Sequence, residues 1–339
     1  MSTVFLGLSG GVDSAVSAAI LKEQGHSVVG AFIKIWRPEF TECPWREDRL
    51  DAMRVAAFLG IPFREIDLSD EYRQHVIDDM VTQYGRGITP NPDVLCNRHI
   101  KFGAFARWAY ENGADAVATG HYARNRGALM RGTDTDKDQS YFLWQLTRED
   151  LARVIFPVGA MRKSEVREKA RALGLPVATK KDSQGLCFVG DVTMREFLGQ
   201  FIALRRGAVT DASGAIIGEH DGAALYTLGE RHGLRIFSRS AHERAHYVIA
   251  VDTAANIVSV SADATDACRD TVQLLDVNWL LQPQAGVTYT AQARYREMPI
   301  ACTVENNRVT FAKSCLAPPG QSLVVYDKDV VIGGGIIAP

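Results

Sequence analysis

At 339 residues the chain is too long for one average hydrophobic core, and two or three domains are expected. Its 46% hydrophobic and 23% charged residues are those of a globular protein, and with no apolar run of about 18 residues and no basic leader, neither a membrane span nor a signal peptide is expected. A net charge of −2, with no basic excess in either half, excludes nucleic-acid binding by bulk charge, and six scattered cysteines without a CxxC pair exclude a zinc ribbon or a secreted disulfide framework and fit a reducing cytoplasm.

The chain opens on its most informative stretch, LGLSGGVDSAVSAAIL, Leu6 to Leu21. An apolar strand over Val4–Leu8 meets a small-residue turn, Ser9–Ser14, and a helix over Ala15–Gln24 follows. Gly10 and Gly11 let backbone amides approach an anion, and the helix aims its free N–H groups and positive dipole end at the same point. No Lys follows the glycines, so this is not the GxxxxGK[ST] loop, and it is not GxGxxG. The hydroxyls of Ser9 and Ser14 are expected to replace the missing lysine as donors. Asp13 beside an anion calls for a cation, and a divalent metal is the expected one. An ordinary Gly-Gly turn capped by Asp13 or Ser14 is the plainer reading. The pattern SGGxDS resembles the PP-loop of ATP pyrophosphatases, which implies cleavage of ATP between its α- and β-phosphates and transfer of AMP to a substrate oxygen.

Further strands are expected at Ser27–Ile35, Pro62–Leu68 and Val117–Gly120, and helices at Glu47–Gly60 and Glu71–Tyr84. Strands alternating with helices of this length make a doubly wound parallel sheet, whose ligands sit at the carboxyl ends of the strands, where SGGVDS and TGHY both leave. In TPNPDVLCN, Thr89 to Asn97, Asn91 can cap and Pro92 suits a first helical position, which places Asp93 and Cys96 on one face. A helix N-terminus favours a thiolate, and a neighbouring carboxylate can relay a proton. A buried structural Cys beside a capping Asp is the other reading. Arg148 to Ile202 reads helical, with Lys163–Gly174 its clearest part. Inside it, KKDSQGLCFVG sets Cys187 between glycines and near Lys180 and Lys181, a setting for a mobile thiol that carries activated sulfur. From Gly207 the texture turns to short β-prone runs, among them Ala208–Thr210, Tyr247–Val251, Ile257–Val260, Val287–Arg294 and Leu323–Tyr326. Asp221-Gly222 and Asn306-Asn307 are expected tight turns.

SGGVDS, TPNPDVLCN, TGHYAR, KDQSYFL and KDSQGLCF, in this order, resemble the tRNA-specific 2-thiouridylase family. The likeness runs on through GEHDGAALYTLGERHGL, Asn278-Trp279, Arg294-Tyr295-Arg296, Pro319-Gly320-Gln321 and the terminal glycines, and so covers essentially the whole chain. It implies a PP-loop, Rossmann-like α/β domain with its helical tRNA-contacting part over 1–200, a central β domain over 205–265, and a C-terminal β-barrel-like domain over 270–339. It implies adenylation of the 2-oxygen of the wobble uridine, position 34, then sulfur transfer from a Cys187 persulfide, with AMP and pyrophosphate released. Gly7, Leu8, Ser9, Gly10, Gly11, Val12, Asp13 and Ser14 would hold the ATP phosphates, with Mg²⁺, and Ile33 and Gly120 would line the nucleotide site. Asn91, Pro92 and Asp93 would meet the target base, with Asp93 as acid/base. Cys96 would be the catalytic partner of Cys187, closing a Cys96–Cys187 disulfide that needs the two Cα atoms within about 7 Å. His121, Lys137, Asp138, Gln139, Arg294, Tyr295, Arg296 and Gln321 would touch tRNA. The family implies acceptors for Lys, Glu and Gln, and a cysteine desulfurase or sulfur-relay protein as donor. The stretch Arg37–Trp45, RPEFTECPW, departs from the expected form and leaves the role of Cys43 open.

Three other readings compete. An amide- or ligase-type ATP pyrophosphatase would need no paired thiols. A non-catalytic RNA-binding relic would need neither SGGVDS nor both cysteines. An iron–sulfur centre on Cys96, Cys187 and a third ligand would need no persulfide, and the lack of CxxC speaks against it.

Overall fold

The computed structural model describes residues 1–40, 45–181, 192–237 and 245–339; Cys43 and Cys187 lie outside the described residues. In chain order it runs β1 (Thr3–Gly7), α1 (Val12–Glu23), β2 (Ser27–Lys34), α2 (Trp45–Leu59) and β3 (Phe63–Asp67). A helix then starts as α3 (Ser69–Tyr72), takes π geometry over Arg73–Ile77 and ends as α4 (Asp78–Gly85). A second starts as α5 (Pro92–Leu95), takes π geometry over Cys96–Ala104 and ends as α6 (Phe105–Glu111). There follow β4 (Ala116–Ala118), the hairpin β5 (Ala123–Asn125) and β6 (Leu129–Arg131), α7 (Arg148–Ala152), β7 (Val154–Ile155), α8 (Lys163–Ala172) and α9 (Met194–Leu198). The β-rich remainder is β8 (Gly207–Thr210), β9 (Ile216–His220), β10 (Arg235–Ile236), β11 (Tyr247–Asp252), β12 (Ile257–Ser261), β13 (Cys268–Trp279), β14 (Tyr289–Gln292), β15 (Ile300–Glu305), β16 (Arg308–Leu316), β17 (Ser322–Asp327) and β18 (Val330–Ile337).

Two compact units divide the chain: Met1–Val76 with Asp93–Val192 and Asp329–Val331, and Ile77–Pro92 with Thr193–Lys328 and Ile332–Pro339. The first is built on a five-stranded parallel sheet in the order β3-β2-β1-β4-β7. β1 is covered on both faces, as its unbroken apolar run requires: Val4 and Leu6 are fully buried and Phe5 nearly so. Val4 and Leu6 pack with Val12, Ala15, Val16 and Leu21 of α1 and Ala52, Val55 and Ala56 of α2, and Phe5 meets Trp108 of α6. The chain winds from β1 toward β3 and then returns to lay β4 on the other side of β1. The loops leaving β1 and β4 therefore flank the crevice where strand order reverses, the ligand position of such sheets. The stretch from Arg148 to Ile202 departs from its all-helical reading: Val154 and Ile155 pair in parallel with Val117 and Ala118. Two residues carry no period, so only the sheet reveals them as a strand.

The second unit holds a five-stranded sheet, β10-β9-β8-β12-β11, around Val209, Tyr226, Val248, Val258 and Val260. It also holds an antiparallel barrel, β13-β16-β15-β14-β17-β18, which β13 closes by pairing with β18. Closure removes the exposed edges that an open sheet would leave. Along β16, Val309, Phe311 and Cys315 turn inward to meet Val272, Leu274, Leu323 and Val325. The expected turn at Asn306-Asn307 joins β15 to β16 with both residues at positive φ, 49° and 61°, the geometry of a type I′ hairpin.

Candidate functional site

The chain leaves the buried β1 at Gly7 and turns back into α1 within a few residues. Gly10 adopts φ 76°, open to glycine but not to most residues, and a Cβ there would meet the backbone carbonyl of Asp48, near the start of α2. Ser14 Oγ accepts from the Ser9 amide at 3.2 Å and donates to Gly11 O at 3.1 Å. Ser9 Oγ lies 3.2 Å from Ser14 Oγ and accepts from the Gly11 amide at 3.4 Å. The two hydroxyls thus brace the loop from within. Gly11 is the extended residue before α1, and Asp13 lies in the first helical turn, where the dipole favours its charge.

The nucleotide residues expected from sequence are gathered here. A Cβ on Gly7 would lie 3.7 Å from Ile33 Cδ1 and 3.9 Å from Thr119 Cγ2. One on Gly120 would stand 2.9 Å from Ser14 N and 3.0 Å from Asp13 C, so the loop after β4 reaches the loop after β1 only because residue 120 has no side chain. Just beyond Ile33 a cavity of about 450 Å³ opens, lined by Lys34, Trp36, Arg37, Trp45 and Arg73 among others. Cationic and aromatic walls of this kind suit a nucleotide.

Asp13 carries a lysine that the sequence pattern does not announce. Lys163 Nζ, at the first position of α8, lies 2.7 and 2.8 Å from the two Asp13 carboxylate oxygens, and the Tyr122 hydroxyl donates to Oδ1 at 2.7 Å. Lys163 is 12% exposed at its side chain and Asp13 32%. An ammonium from 150 positions away in the chain thus reaches Asp13, whose expected partner was a divalent metal. Among the described residues no group of three or more His, Cys, Asp or Glu side chains forms a metal cage. For a Mg²⁺ borne on the phosphates, Asp13 is the carboxylate of the Ser9–Ser14 loop that could reach it, in competition with Lys163.

The loop Thr119–Tyr122 also touches the helix that carries Cys96. His121 is buried, with Nδ1 2.7 Å from Thr119 Oγ1 and Nε2 3.4 Å from Lys101 Nζ, and its ring lies near those of Phe102 and Phe156. Burial, reinforced by the Lys101 charge, holds the His121 imidazole well below its ordinary value. The ring is therefore neutral, accepting from Lys101 and donating to Thr119. Asp93 lies in the first turn of α5, and burial pushes its carboxyl up while the Lys101 ammonium opposes the rise. Cys96, 8% exposed, begins the π-wound stretch, a geometry frequent at functional sites.

The expected tRNA residues fall in several settings. Asp138 is buried, accepting from the Gly132 and Ser140 amides, the Ser140 hydroxyl and Arg131. Gln139 Oε1 accepts from the Tyr122 amide at 3.1 Å, so the Lys137–Gln139 turn props the loop that reaches Asp13. In the second unit, Gln321 Nε2 donates to Thr89 O at 2.7 Å and Pro90 O at 3.2 Å, fixing the approach to Asn91 and Pro92. Arg294 donates to Leu228 O at 2.6 Å, and the Arg296 guanidinium lies 5.1 Å from the Tyr295 ring centre, with Arg296 at φ 63°. The boundary between units falls between Pro92 and Asp93. Among the described residues no helix is long and apolar enough to cross a membrane.

Comparison with known proteins adds the following. Residues 2–191 match a family profile described as a tRNA methyl transferase HUP domain, 195–262 a PRC-barrel domain and 269–337 an aminomethyltransferase β-barrel domain. A tRNA-specific 2-thiouridylase MnmA of Stenotrophomonas maltophilia is 44% identical over 100% of this chain and 94% of its own. One of Nitrosomonas eutropha is 41% identical over 99% and 98%. Among solved structures, the U34-tRNA thiolase NcsA of Methanococcus maripaludis aligns with 59% of this chain and 64% of its own, at 20% identity and a TM-score of 0.39, too distant to argue from. The profiles are described by methyl transfer and the relatives by sulfur transfer.

Proposed function

The chain belongs to the tRNA-specific 2-thiouridylase family, and from that premise we propose how its residues carry out the ATP-dependent thiolation of a tRNA uridine. The observation that carries the reading is the run Thr119–Tyr122, which meets Asp13 and Ser14 on one side and Lys101, on the helix that carries Cys96, on the other. An adenylating loop and a thiol-bearing helix thus share one connector.

ATP lies with its phosphates on the amides of Gly7–Ser14 and the N-terminus of α1, and its nucleoside toward Ile33, Gly120 and the cavity after β2. The 2-oxygen of uridine 34 attacks the α-phosphorus and pyrophosphate leaves. A Mg²⁺ carried on the phosphates, with Asp13 as the loop carboxylate to reach it, would supply offsetting charge for that leaving group. Asp93, whose carboxyl burial pushes up toward the range of a proton carrier, takes the N3 proton as the oxygen attacks and returns it at the end. A carbonyl oxygen is a poor leaving group, and as AMP it becomes a good one. The terminal sulfur of a Cys187 persulfide then displaces AMP from C2, and Cys96 attacks Cys187 Sγ to release the 2-thiouridine. Alternatively Cys96 attacks first and frees hydrosulfide, which displaces AMP. Either order leaves a Cys96–Cys187 disulfide that an external thiol must reduce. Asn91 and Pro92 meet the base, and Lys137, Arg294, Tyr295, Arg296 and Gln321 contact the tRNA, while His121, Asp138 and Gln139, expected to touch it as well, act through the loops that they brace. The acceptors are tRNAs for Lys, Glu and Gln, the sulfur comes from a cysteine desulfurase or relay protein, and the compartment is a reducing cytoplasm.

The test is a reconstitution with tRNA, ATP, a desulfurase with cysteine, and a thiol reductant. The expected products are 2-thiouridine at position 34 and AMP in a ratio near one. Formation of ADP in place of AMP, or thiolation at another uridine, would refute the reading.

A further inference from the structure

Lys101 is a half-buried cation with one close polar contact. Its Nζ lies 3.4 Å from His121 Nε2, and among the described residues no carboxylate closes an ion pair on it. His121 is neutral and its Nδ1 is engaged by Thr119, so the ring accepts one N–H of the ammonium and sets no charge against it. A partly buried charge without an anion is costly, and it calls for a ligand that brings one. The winding of the helix explains where the charge stands. Asp93 lies in the α-wound first turn, and from Cys96 onward the π winding carries about one more residue per turn. Lys101 follows Cys96 by five positions, one π turn, and so falls on the face that carries Cys96 and Asp93. Its charge opposes the rise that burial gives the Asp93 carboxyl, yet the two do not pair. Its one polar partner, His121, sits on the loop that reaches Asp13 and Ser14. A buried proton acceptor, a thiol and an ammonium thus line one helix face, and the ammonium end touches the connector to the adenylating loop.

We propose that Lys101 is a catalytic residue: its ammonium donates to O4 of the target uracil and stabilises the negative charge that the ring carries while its C2 position reacts. This rests on the function proposed above and deepens it. Uracil N3 lies between the two carbonyls. With N3–H on Asp93 and O2 turned to the α-phosphate, O4 is the oxygen left for Lys101. When Asp93 takes the N3 proton, the charge spreads over O2 and O4, and an ammonium at O4 makes that proton easier to remove. O2 then bonds to the α-phosphorus as the bond to pyrophosphate breaks, and the ring is neutral again. When sulfur adds at C2, the electron pair of the C2–N3 double bond moves onto N3 and O4, where Lys101 meets it a second time. That pair re-forms the double bond as the C2–O2 bond breaks, and AMP leaves with the electrons of the broken bond. The same contact selects the base, because cytosine carries an amino group at C4, to which an ammonium cannot donate.

The experiment compares full-length wild type, Lys101→Met and Lys101→Arg on tRNA carrying uridine or 5-fluorouridine at position 34, with tRNA binding and thermal melting alongside. The readout is AMP together with 2-thiouridine or its 5-fluoro analogue. Fluorine withdraws electrons from the ring, and so supplies within the substrate part of what Lys101 supplies from the protein. On uridine, Lys101→Met lowers both products by about tenfold or more, while tRNA binding and melting stay close to wild type. Lys101→Arg keeps the charge and recovers part of the rate. On 5-fluorouridine, Lys101→Met regains about fivefold, whereas the wild type changes by no more than about twofold. A rate for Lys101→Met on uridine within about threefold of wild type would overturn the proposal. So would an equal loss on both tRNAs, which would put Lys101 at the phosphates or in the fold, with melting telling these apart. A wild type that installs no sulfur on uridine would remove the functional reading and this proposal together.

Discussion

Lys163→Met lowers tRNA-dependent release of pyrophosphate by about 100-fold at saturating ATP. The magnitude is that of removing one preorganised donor from developing charge in a dry site, roughly 10²–10³ in rate. Lys163 rests on Asp13 at 2.7 Å, at the mouth of a loop whose hydroxyls already bond within the loop. Its ammonium stands beside the loop proposed to hold the phosphates. Lys163→Arg recovers only part of the rate, because a planar fork does not replace a compact charge here. Asp13→Asn is also slow, and adding it to Lys163→Met costs little more, since the two groups act as one unit. The pair is partly exposed, so melting moves by no more than a few degrees. Pyrophosphate release within threefold of wild type in Lys163→Met would show that the amides hold the phosphates unaided.

Cys96→Ala reduces 2-thiouridine by about 1,000-fold while AMP formation stays within about threefold. In the proposed mechanism this thiol frees the sulfur from Cys187, and the described side chains of that helix include no other thiol to replace it. The site is buried and the change removes one atom, so the fold survives. The variant also separates the two sulfur routes. A covalent tRNA–Cys187 disulfide that accumulates with Cys96→Ala marks direct attack by the persulfide, and its absence with AMP still forming marks hydrosulfide. Full thiolation by Cys96→Ala would remove the thiol from the mechanism.

The sequence carried a large share of this arrangement because its signals are local. The strand–glycine–helix pattern at Val4–Gln24 sets β1, the loop and α1, and the doubly wound order follows from alternation. The strand end at Gly120 was legible as a short apolar run that stops at a glycine, whereas its place in the nucleotide site came from the family resemblance. Lys163 was not, because nothing near it in the chain marks it: it opens an ordinary amphipathic helix, and only the fold carries it to Asp13. Lys101 escaped for a related reason. Its distance from Cys96 along a regular α-helix would aim it elsewhere, whereas the π-wound turn over Cys96–Ala104 carries about one more residue per turn. β7 is too short to show a period. Ser9 and Ser14 bond within the loop, and Lys163 of α8 brings to Asp13 an ammonium that the loop's own sequence does not show.

The central claim is that the 2-oxygen of the target uracil leaves as part of AMP. It is tested most directly with tRNA carrying oxygen-18 at that position, by mass spectrometry of the AMP after one turnover. One labelled oxygen in the AMP phosphate for each 2-thiouridine formed is the predicted result. Unlabelled AMP, with the heavy oxygen in water or pyrophosphate, would contradict it.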